Sequence, residues 1–266
     1  MVFMAINDWK SFLMPYEQAV EELKVKLKSI RKEYRRKNEY SPIEFVTGRV
    51  KEVSSILEKA NKFEIPIDQV RYELEDIAGI RIMCQFVDDI TKVVELLRGR
   101  KDMQILYEKD YVRNVKESGY RSYHMIIKYQ VNMAEGPVDI LAEFQIRTLA
   151  MNFWATIEHS LNYKYKQNIP TQLKEKLKSS ADAAFKLDEE MLQIKDEIKD
   201  AQKLFEVKSS IISNIMNSLL TLSSLGKEAE AARHEKTLNK LIQYGEIWEL
   251  DNLLFYVKKD VEKYRE

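Results

Sequence analysis

The chain has little of what membrane, secreted or zinc-dependent proteins need. One cysteine, Cys84, in 266 residues excludes an intrachain disulfide and leaves no second thiol for a structural zinc site, as in a reducing compartment. Its expected role is small buried apolar filler. No apolar run approaches the roughly 18 residues of a membrane span. The start, MVFMAINDWKSFLMPYEQAV, has neither a basic flank with an apolar stretch nor a small-residue cleavage site. No secretory signal is therefore expected, and a cytosolic (cytoplasmic) location is. Net charge is also missing: 43 basic and 43 acidic side chains cancel, which argues against a protein that coats duplex nucleic acid. Any phosphate binding must come from local clusters of cations. There are three histidines and no HExxH pair, so a metal-dependent hydrolase is disfavoured. The chain also lacks a GxxxxGK[ST] loop, a GxGxxG turn and a GxSxG elbow, so a nucleotide enzyme here needs another scaffold.

Seven glycines and five prolines are few for this length, and helical periodicity fills both ends. From about Asp8 to Lys37, Ala19, Leu23, Leu27, Ile30 and Tyr34 recur at spacings of three and four, one buried helix stripe. Ser41-Pro42 breaks it. A second helix is expected from about Pro42 to Phe63 and a third from near Ile67. Arg81 to Val87 has strand composition, and Asp88-Asp89 caps a helix over Ile90 to Arg98. Tyr120 to Val131 and Val138 to Arg147 read as strands. In the latter, Val138, Ile140, Ala142, Phe144 and Ile146 alternate with Asp139, Leu141, Glu143, Gln145 and Arg147, so Glu143, Gln145 and Arg147 share an open face. A helix with Asn152, Trp154 and His159 follows, ended by a loop around Asn168-Ile169-Pro170. Strands mixed with helices indicate an α+β sheet domain. From Thr171, Leu177, Ala184, Met191, Ile198 and Phe205 lie seven apart, with Leu187, Ile194 and Ala201 in a second seam. That heptad pattern needs a partner, either the domain beneath it or another subunit. Val207 to Glu266 reads as two or three more helices around Gly226 and Gly245, with no evident chemistry.

Three groups of residues could carry chemistry. Lys51, Ser55, Lys59 and Lys62 fall on one helix face opposite Val53, Ile56, Leu57 and Ala60. A solvated face has the same look, but Arg49 just before it makes a cation cluster suited to a triphosphate at a helix start. Asp76 stands at the entrance of a strand that contains Arg81. A lone Asp is more often a turn residue, yet Asp76 and Glu143 on neighbouring strands could share one Mg²⁺, which prefers oxygen ligands. Finally, Gly119 opens a strand in which alternation puts Tyr120, Ser122 and His124 on one side, a ring, a hydroxyl and an imidazole for a base, a ribose and phosphates. Sheet aromatics packed under a helix are the plainer reading of that row.

With FVTGRVK (Phe45 to Lys51), DIAGIRIMCQFVDDI (Asp76 to Ile90), ESGYRSYH (Glu117 to His124) and EFQIRTLAMNFWATIEHSLNYKY (Glu143 to Tyr165) in order, the chain resembles the small alarmone synthetases, the synthetase-only branch of the RelA/SpoT homologues. The resemblance implies a nucleotidyltransferase-like mixed sheet flanked by helices, with long N- and C-terminal helices. It implies transfer of the β,γ-diphosphate of ATP to the 3′ oxygen of GDP or GTP, releasing AMP, in the bacterial stringent response. It implies that Arg49 and Arg81 sandwich adenine, that Lys51, Ser55 and Lys59 hold ATP phosphates, and that Tyr120 stacks on guanine. Lys116 and His124 would contact acceptor phosphates, Asp76 would hold Mg²⁺, and Glu143 would be the metal-linked base. Gln145 and Asn152 would support the site. Lys62 and Lys109 stand where the family can have arginine, and lose bidentate geometry.

The resemblance further implies a homotetramer whose cleft binds the product, pppGpp or ppGpp, as activator through Lys24, Lys28, Arg31, Glu44, Phe45 and Thr47. Residues 1–206 would form the synthetase domain with its oligomerisation helices, and 207–266 a helical extension. Two other readings compete. A non-catalytic regulator could use the same basic and stacking surface on single-stranded RNA, but the presence of Glu143 and Asp76 disfavours it. A template-free nucleotidyltransferase on RNA ends would want two carboxylates two apart on one strand, and Asp76 has no such neighbour.

Overall fold

The computed structural model describes residues 8–164 and 170–265, so the loop expected at Asn168-Ile169 lies outside the described residues. Helix α1, Trp9–Arg36, starts where the Asp8 carboxylate accepts from the backbone N–H of Lys10 at 2.9 Å and Ser11 at 3.2 Å, satisfying two orphan donors. Its stripe of Ala19, Leu23 and Leu27 is buried. Strand β1, Phe45–Val50, and helix α2, Val53–Lys62, follow. A 3₁₀ turn, Ile67–Gln69, leads into the short α3, Val70–Glu73, then β2, Ala78–Cys84, and α4, Val87–Arg98. Helix α4 starts three residues before the expected Ile90, with Phe86 at the N-cap, so Asp88 and Asp89 lie in its first turn instead of preceding it, and Asp89 accepts from the Phe86 backbone N–H at 3.3 Å. Next come β3, Gln104–Asp110, β4, Tyr123–Met133, β5, Gly136–Thr148, and α5, Leu149–Lys164. The long α6, Thr171–Ser224, the turn at Gly226, α7, Glu228–Tyr244, and α8, Ile247–Arg265, complete the chain.

The five strands form one mixed sheet in the order β1-β2-β5-β4-β3, with β2 and β5 parallel and every other pair antiparallel. One face is apolar: Ile80, Ile82, Phe144, Ile146, Met125 and Ile127 are buried in one core with Leu23 and Leu27 of α1 and Val93 and Leu97 of α4. Gly48 lets α1 come this close, because a Cβ there would stand 2.8 Å from Val20 Cγ1 and 3.0 Å from Ile80 Cδ1. Cys84 is buried, as expected.

Several expectations are corrected. The segment expected to open a helix at Pro42 is strand β1, so Arg49 projects from a sheet and Lys51 precedes α2; the helix covers only Val53–Lys62. Six residues on a sheet edge with one buried position give little alternation to read. Leu57, placed on the apolar side of α2, is 40% exposed. The strand expected from Tyr120 begins at Tyr123, and β3 has no counterpart among the expected strands.

The chain folds as two units, one through Leu192 and one from Gln193, with the boundary inside α6 itself. The second unit has its own core, in which Ile215 and Leu222 of α6 meet Leu238 of α7 and Leu250 and Val257 of α8. In the first unit, α6 is tied to the end of β5: the Thr148 hydroxyl donates to Asp188 Oδ2 at 2.6 Å.

Asp188 is 5% exposed, and burial outweighs the Thr148 hydrogen bond to push its carboxyl up to about 6 from 3.8. A raised carboxyl must ionise at a cost in the folded state. That cost is absent below about 3.8 and complete above about 6, so this group lowers stability as pH rises through the window. Asp188→Asn keeps an acceptor for Thr148 and is expected to stabilise the protein at neutral pH by on the order of 1–3 kcal/mol, and little at about pH 4. Urea unfolding at both pH values measures this, and an equal effect at both would refute it.

Candidate active site

Pairing across the sheet gathers the polar residues into two rows on the face opposite the core. One row runs Arg49 (β1), Gly79 (β2), Glu143 (β5), Ile126 (β4) and Tyr107 (β3); the next runs Thr47, Arg81, Gln145, His124 and Lys109. The alternation of Glu143, Gln145 and Arg147 is thus realised as one open face, and Arg49 and Arg81 flank it from adjacent strands. A cleft of roughly 260 Å³ lies there, lined by Thr47, Arg49, Lys51, Asp76, Arg81, Glu143 and Gln145 among others. A wider hollow of roughly 560 Å³ on α7 is lined by one helix alone, including Glu235, Lys236 and Asn239, so no groups converge in it.

Two sub-networks hold the cleft's carboxylates. Lys51 Nζ lies 2.6 Å from Asp76 Oδ2 and Lys59 Nζ 2.9 Å from Oδ1. Burial opposes ionisation of Asp76, but these two ammonium groups prevail and hold its carboxyl below the usual range. Ser55 lies one turn before Lys59 on α2 and is half-buried, whereas Lys62 is exposed. Glu143 is the second carboxylate. His124 Nδ1 is 2.7 Å from its Oε1 and the Gln145 amide donates to Oε2 at 2.6 Å. Burial again works against the charge, and His124 and Gln145 outweigh it, so the Glu143 carboxyl is held low.

The chemistry of the donors suits a small hard cation. Two carboxylates face one cleft, and Asp76 Oδ1 is buried without a hydrogen bond of proper geometry, although Lys59 stands near it. Among the described residues no group of three or more His, Cys, Asp or Glu forms a closed metal cage. Mg²⁺ needs no such cage, because it takes one or two carboxylates and fills its shell with water and phosphate oxygens.

The Tyr120 hydroxyl is 2.7 Å from His124 Nε2, and Arg147 donates to it at 3.1 Å. Its ring packs edge-on to Tyr111, and Lys116 Nζ lies 4.4 Å above Tyr111 and 5.0 Å from the Tyr120 ring centre. Ser122 adjoins Tyr120 but does not open to the cleft. Its residue precedes the strand, its side chain is fully buried, and its hydroxyl donates to the Ile146 carbonyl at 3.3 Å. Asn152 stands on α5 outside the cleft lining, its buried Oδ1 without a donor among the described residues. Of the six residues expected to form a second alarmone site, Arg31 and Glu44 pair at 2.9 Å, Lys24 pairs with Glu21 at 2.6 Å, and Lys28 and Phe45 are exposed. Thr47 lines the cleft itself.

Tyr107, not singled out from sequence, also shapes the site, beside Lys109, which was. Tyr107 donates to Glu75, which adjoins Asp76, and Lys109 Nζ lies 4.8 Å from the Tyr107 ring centre. The alternation of Tyr107 with Lys109 was the available signal, cut short by a register shift beyond which Ile105 pairs with Ile127 and packs on the core.

The chain is similar to proteins of one family. Residues 48–168 match the family described as a region found in RelA / SpoT proteins. The GTP pyrophosphokinase YjbM of Bacillus subtilis is 56% identical over 202 residues, which are 76% of this chain and 95% of that protein. Among solved structures, the small alarmone synthetase 1 of Bacillus subtilis bound to its product pppGpp aligns with a TM-score of 0.69 at 57% identity, over 71% of this chain and 97% of that one. The same synthetase bound to AMPCPP aligns with a TM-score of 0.64 at 53% identity, over 72% and 98%.

The turn that presents Tyr120 depends on Gly119. Its φ is +89°, and a Cβ there would lie 2.6 Å from Ala181 Cβ on α6. Gly119→Ala should cost roughly 1–3 kcal/mol, from left-handed strain plus the collision. Chemical denaturation reads the loss; an unchanged midpoint would mean that the turn relaxes freely.

Proposed function

Because the chain belongs to the RelA/SpoT family as a small alarmone synthetase, and is a GTP pyrophosphokinase that makes (p)ppGpp, we propose that the open sheet face around Glu143 is where the diphosphate moves. The carrying observation is that Glu143 stands in one cleft with Arg49, Arg81 and Lys51, so a base and several cations converge. Arg49 and Arg81 clasp the adenine of ATP between guanidinium planes. Lys51, Ser55 and Lys59 take its phosphates, the two lysines leaving or sharing Asp76. Tyr120 stacks on the acceptor guanine. Lys116 and His124 meet acceptor phosphates, and Gln145 and Asn152 support the acceptor side.

In the reaction, the 3′ oxygen of GDP or GTP bonds to the β phosphorus of ATP. The bond from that phosphorus to the bridging oxygen breaks, AMP leaves with the oxygen, and the 3′ hydroxyl proton passes to Glu143. Alignment and charge neutralisation supply most of the acceleration in such transfers. Asp76 and Glu143 would hold Mg²⁺, whose charge, when bound, offsets that of the phosphates. No helix among the described residues is long and apolar enough to cross a membrane, which is compatible with work in the cytosol.

Residues 1–206 are taken as the synthetase domain. The 207–266 segment is an extension, since the match to YjbM covers 95% of that protein and only 76% of this chain. The exposed seam of α6, where Leu187, Met191, Ile194, Ile198 and Phe205 are 42–74% exposed, favours assembly of subunits into a homotetramer. The alarmone product would then bind near Lys24, Lys28, Arg31, Glu44, Phe45 and Thr47 and activate.

Two tests follow from these roles. Incubation of labelled ATP with GDP or GTP should yield labelled (p)ppGpp, and Glu143→Gln should lower that rate by roughly 100–10,000-fold while leaving the unfolding midpoint in place. A variant of near parental rate would remove Glu143 from the chemistry. For regulation, solution mass should be that of four chains, and added pppGpp should raise the parent's rate but not that of Lys28→Glu. A parent indifferent to pppGpp would refute the activator site.

A further inference from the structure

Five side chains on the open face close a ring of hydrogen bonds. Arg147 donates to Tyr120 Oη at 3.1 Å and also to Gln145 Oε1; Gln145 Nε2 donates to Glu143 Oε2 at 2.6 Å. His124 Nδ1 meets Glu143 Oε1 at 2.7 Å, and the Tyr120 hydroxyl meets His124 Nε2 at 2.7 Å. Arg147 is 3% exposed and absent from the cleft lining, so it reaches substrate only through its neighbours.

We propose that Arg147 is the positioning residue that sets the direction of this ring, and through it the tautomer of His124 and the orientation of the Gln145 amide; this rests on Glu143 being the base of the reaction. A guanidinium can donate and cannot accept. Tyr120 Oη therefore accepts from Arg147, which leaves its one hydrogen to be given to His124 Nε2 in the proposed arrangement. With Nε2 accepting, the imidazole proton sits on Nδ1 and is donated to Glu143 Oε1. On the other arm, Gln145 Oε1 faces Arg147, with Arg81 Nε also at 3.4 Å, so the amide NH₂ must face Glu143 Oε2. Both arms end as donors on the two oxygens of one carboxylate, which stays ionised and fixed in its plane. The opposite direction would set a bare nitrogen or a carbonyl oxygen against that carboxylate.

The Tyr120 ring is held by the same group. Arg147 Cζ lies 5.5 Å from its centre, so the cation that orders the base also orders the surface offered to guanine. Removing it loosens the acceptor side and the base together, while the Lys51–Asp76–Lys59 group of the ATP side keeps its own contacts.

The test reads the tautomer directly on the substrate-free protein. With ¹⁵N-labelled histidine at about pH 8, side-chain spectra should show His124 in the parent with its proton on Nδ1. The chain has three histidines, and His124→Gln assigns the signal. In Arg147→Met, and in the nearly isosteric Tyr120→Phe, which breaks one arm only, the Nδ1–H form should give way to a mixture or to Nε2–H. Arg147→Met should also lower kcat by roughly 10–100-fold with the KM for ATP held within about twofold. A parent His124 protonated on Nε2, or an unchanged tautomer in both variants, overturns the proposal. An unchanged kcat in Arg147→Met does so too. If Glu143→Gln instead remained active while the tautomer behaved as described, the assignment of the base would fall and the ring's direction would stand.

Discussion

The parallel pairing of β2 with β5 is the constraint on which the site depends. It sets Gly79 beside Glu143 and Arg81 beside Gln145, and it fixes which residues face away from the core. The same register places Ile80 beside Phe144 and Ile82 beside Ile146 in the buried layer under α1 and α4. A slip of one residue would send the carboxylate into the core and the phenylalanine into the cleft. The apolar face therefore secures the polar one: burial of the isoleucines specifies where the charges stand.

Charge at the site is compensated from within. Asp76 is shared by two lysines and Glu143 is held by an imidazole and an amide, because a buried charge without partners is costly. Compensation of this kind makes the cleft ready for a polyanion. A triphosphate offers Lys51 and Lys59 a denser set of oxygens than one carboxylate does, and a cation offers Asp76 a replacement for the ammonium groups it gives up. In the proposed exchange every group would leave one partner for another.

The sheet's interior was easier to read from sequence than its edges, for a physical reason. Strand β5 is flanked on both sides and covered on one face, so its residues alternate cleanly, and Glu143, Gln145 and Arg147 emerge on one side. Strands β1 and β3 are the two edges. There β1, with one buried position in six residues, merged with the periodicity of α2. Ser122 shows the complementary limit: alternation set it beside Tyr120 but could not show that it is buried there, with its hydroxyl donated to the Ile146 carbonyl. Cations and carboxylates in ordered motifs named most of the cleft. Which of them bond to one another was not legible, since the ring through Arg147 depends on strand register and side-chain direction rather than on spacing along the chain.

Tyr120 is held at two levels, and the difference between them shapes how an acceptor can enter. Its backbone is pinned by α6, where Gly119 lies against Ala181, Arg121 pairs with Asp182 at 2.9 Å and the Arg121 guanidinium lies 4.5 Å from the Phe185 ring centre. Its side chain is pinned by hydrogen bonds to His124 and Arg147. Because the backbone is clasped by packing, the ring can turn toward a base mainly about its own side-chain torsions, and the hydroxyl travels with it. A rotation that keeps the hydroxyl near Arg147 preserves the orientation of both arms at Glu143. One that carries it away uncovers His124 Nε2, the nitrogen directed away from Glu143, which as a bare acceptor would meet a phosphate oxygen only after taking up a proton, while Nδ1–H stays on the carboxylate. The two roles proposed for His124 thus fall on different nitrogens, and under that proposal entry of the acceptor would be coupled to Glu143 through a single phenol.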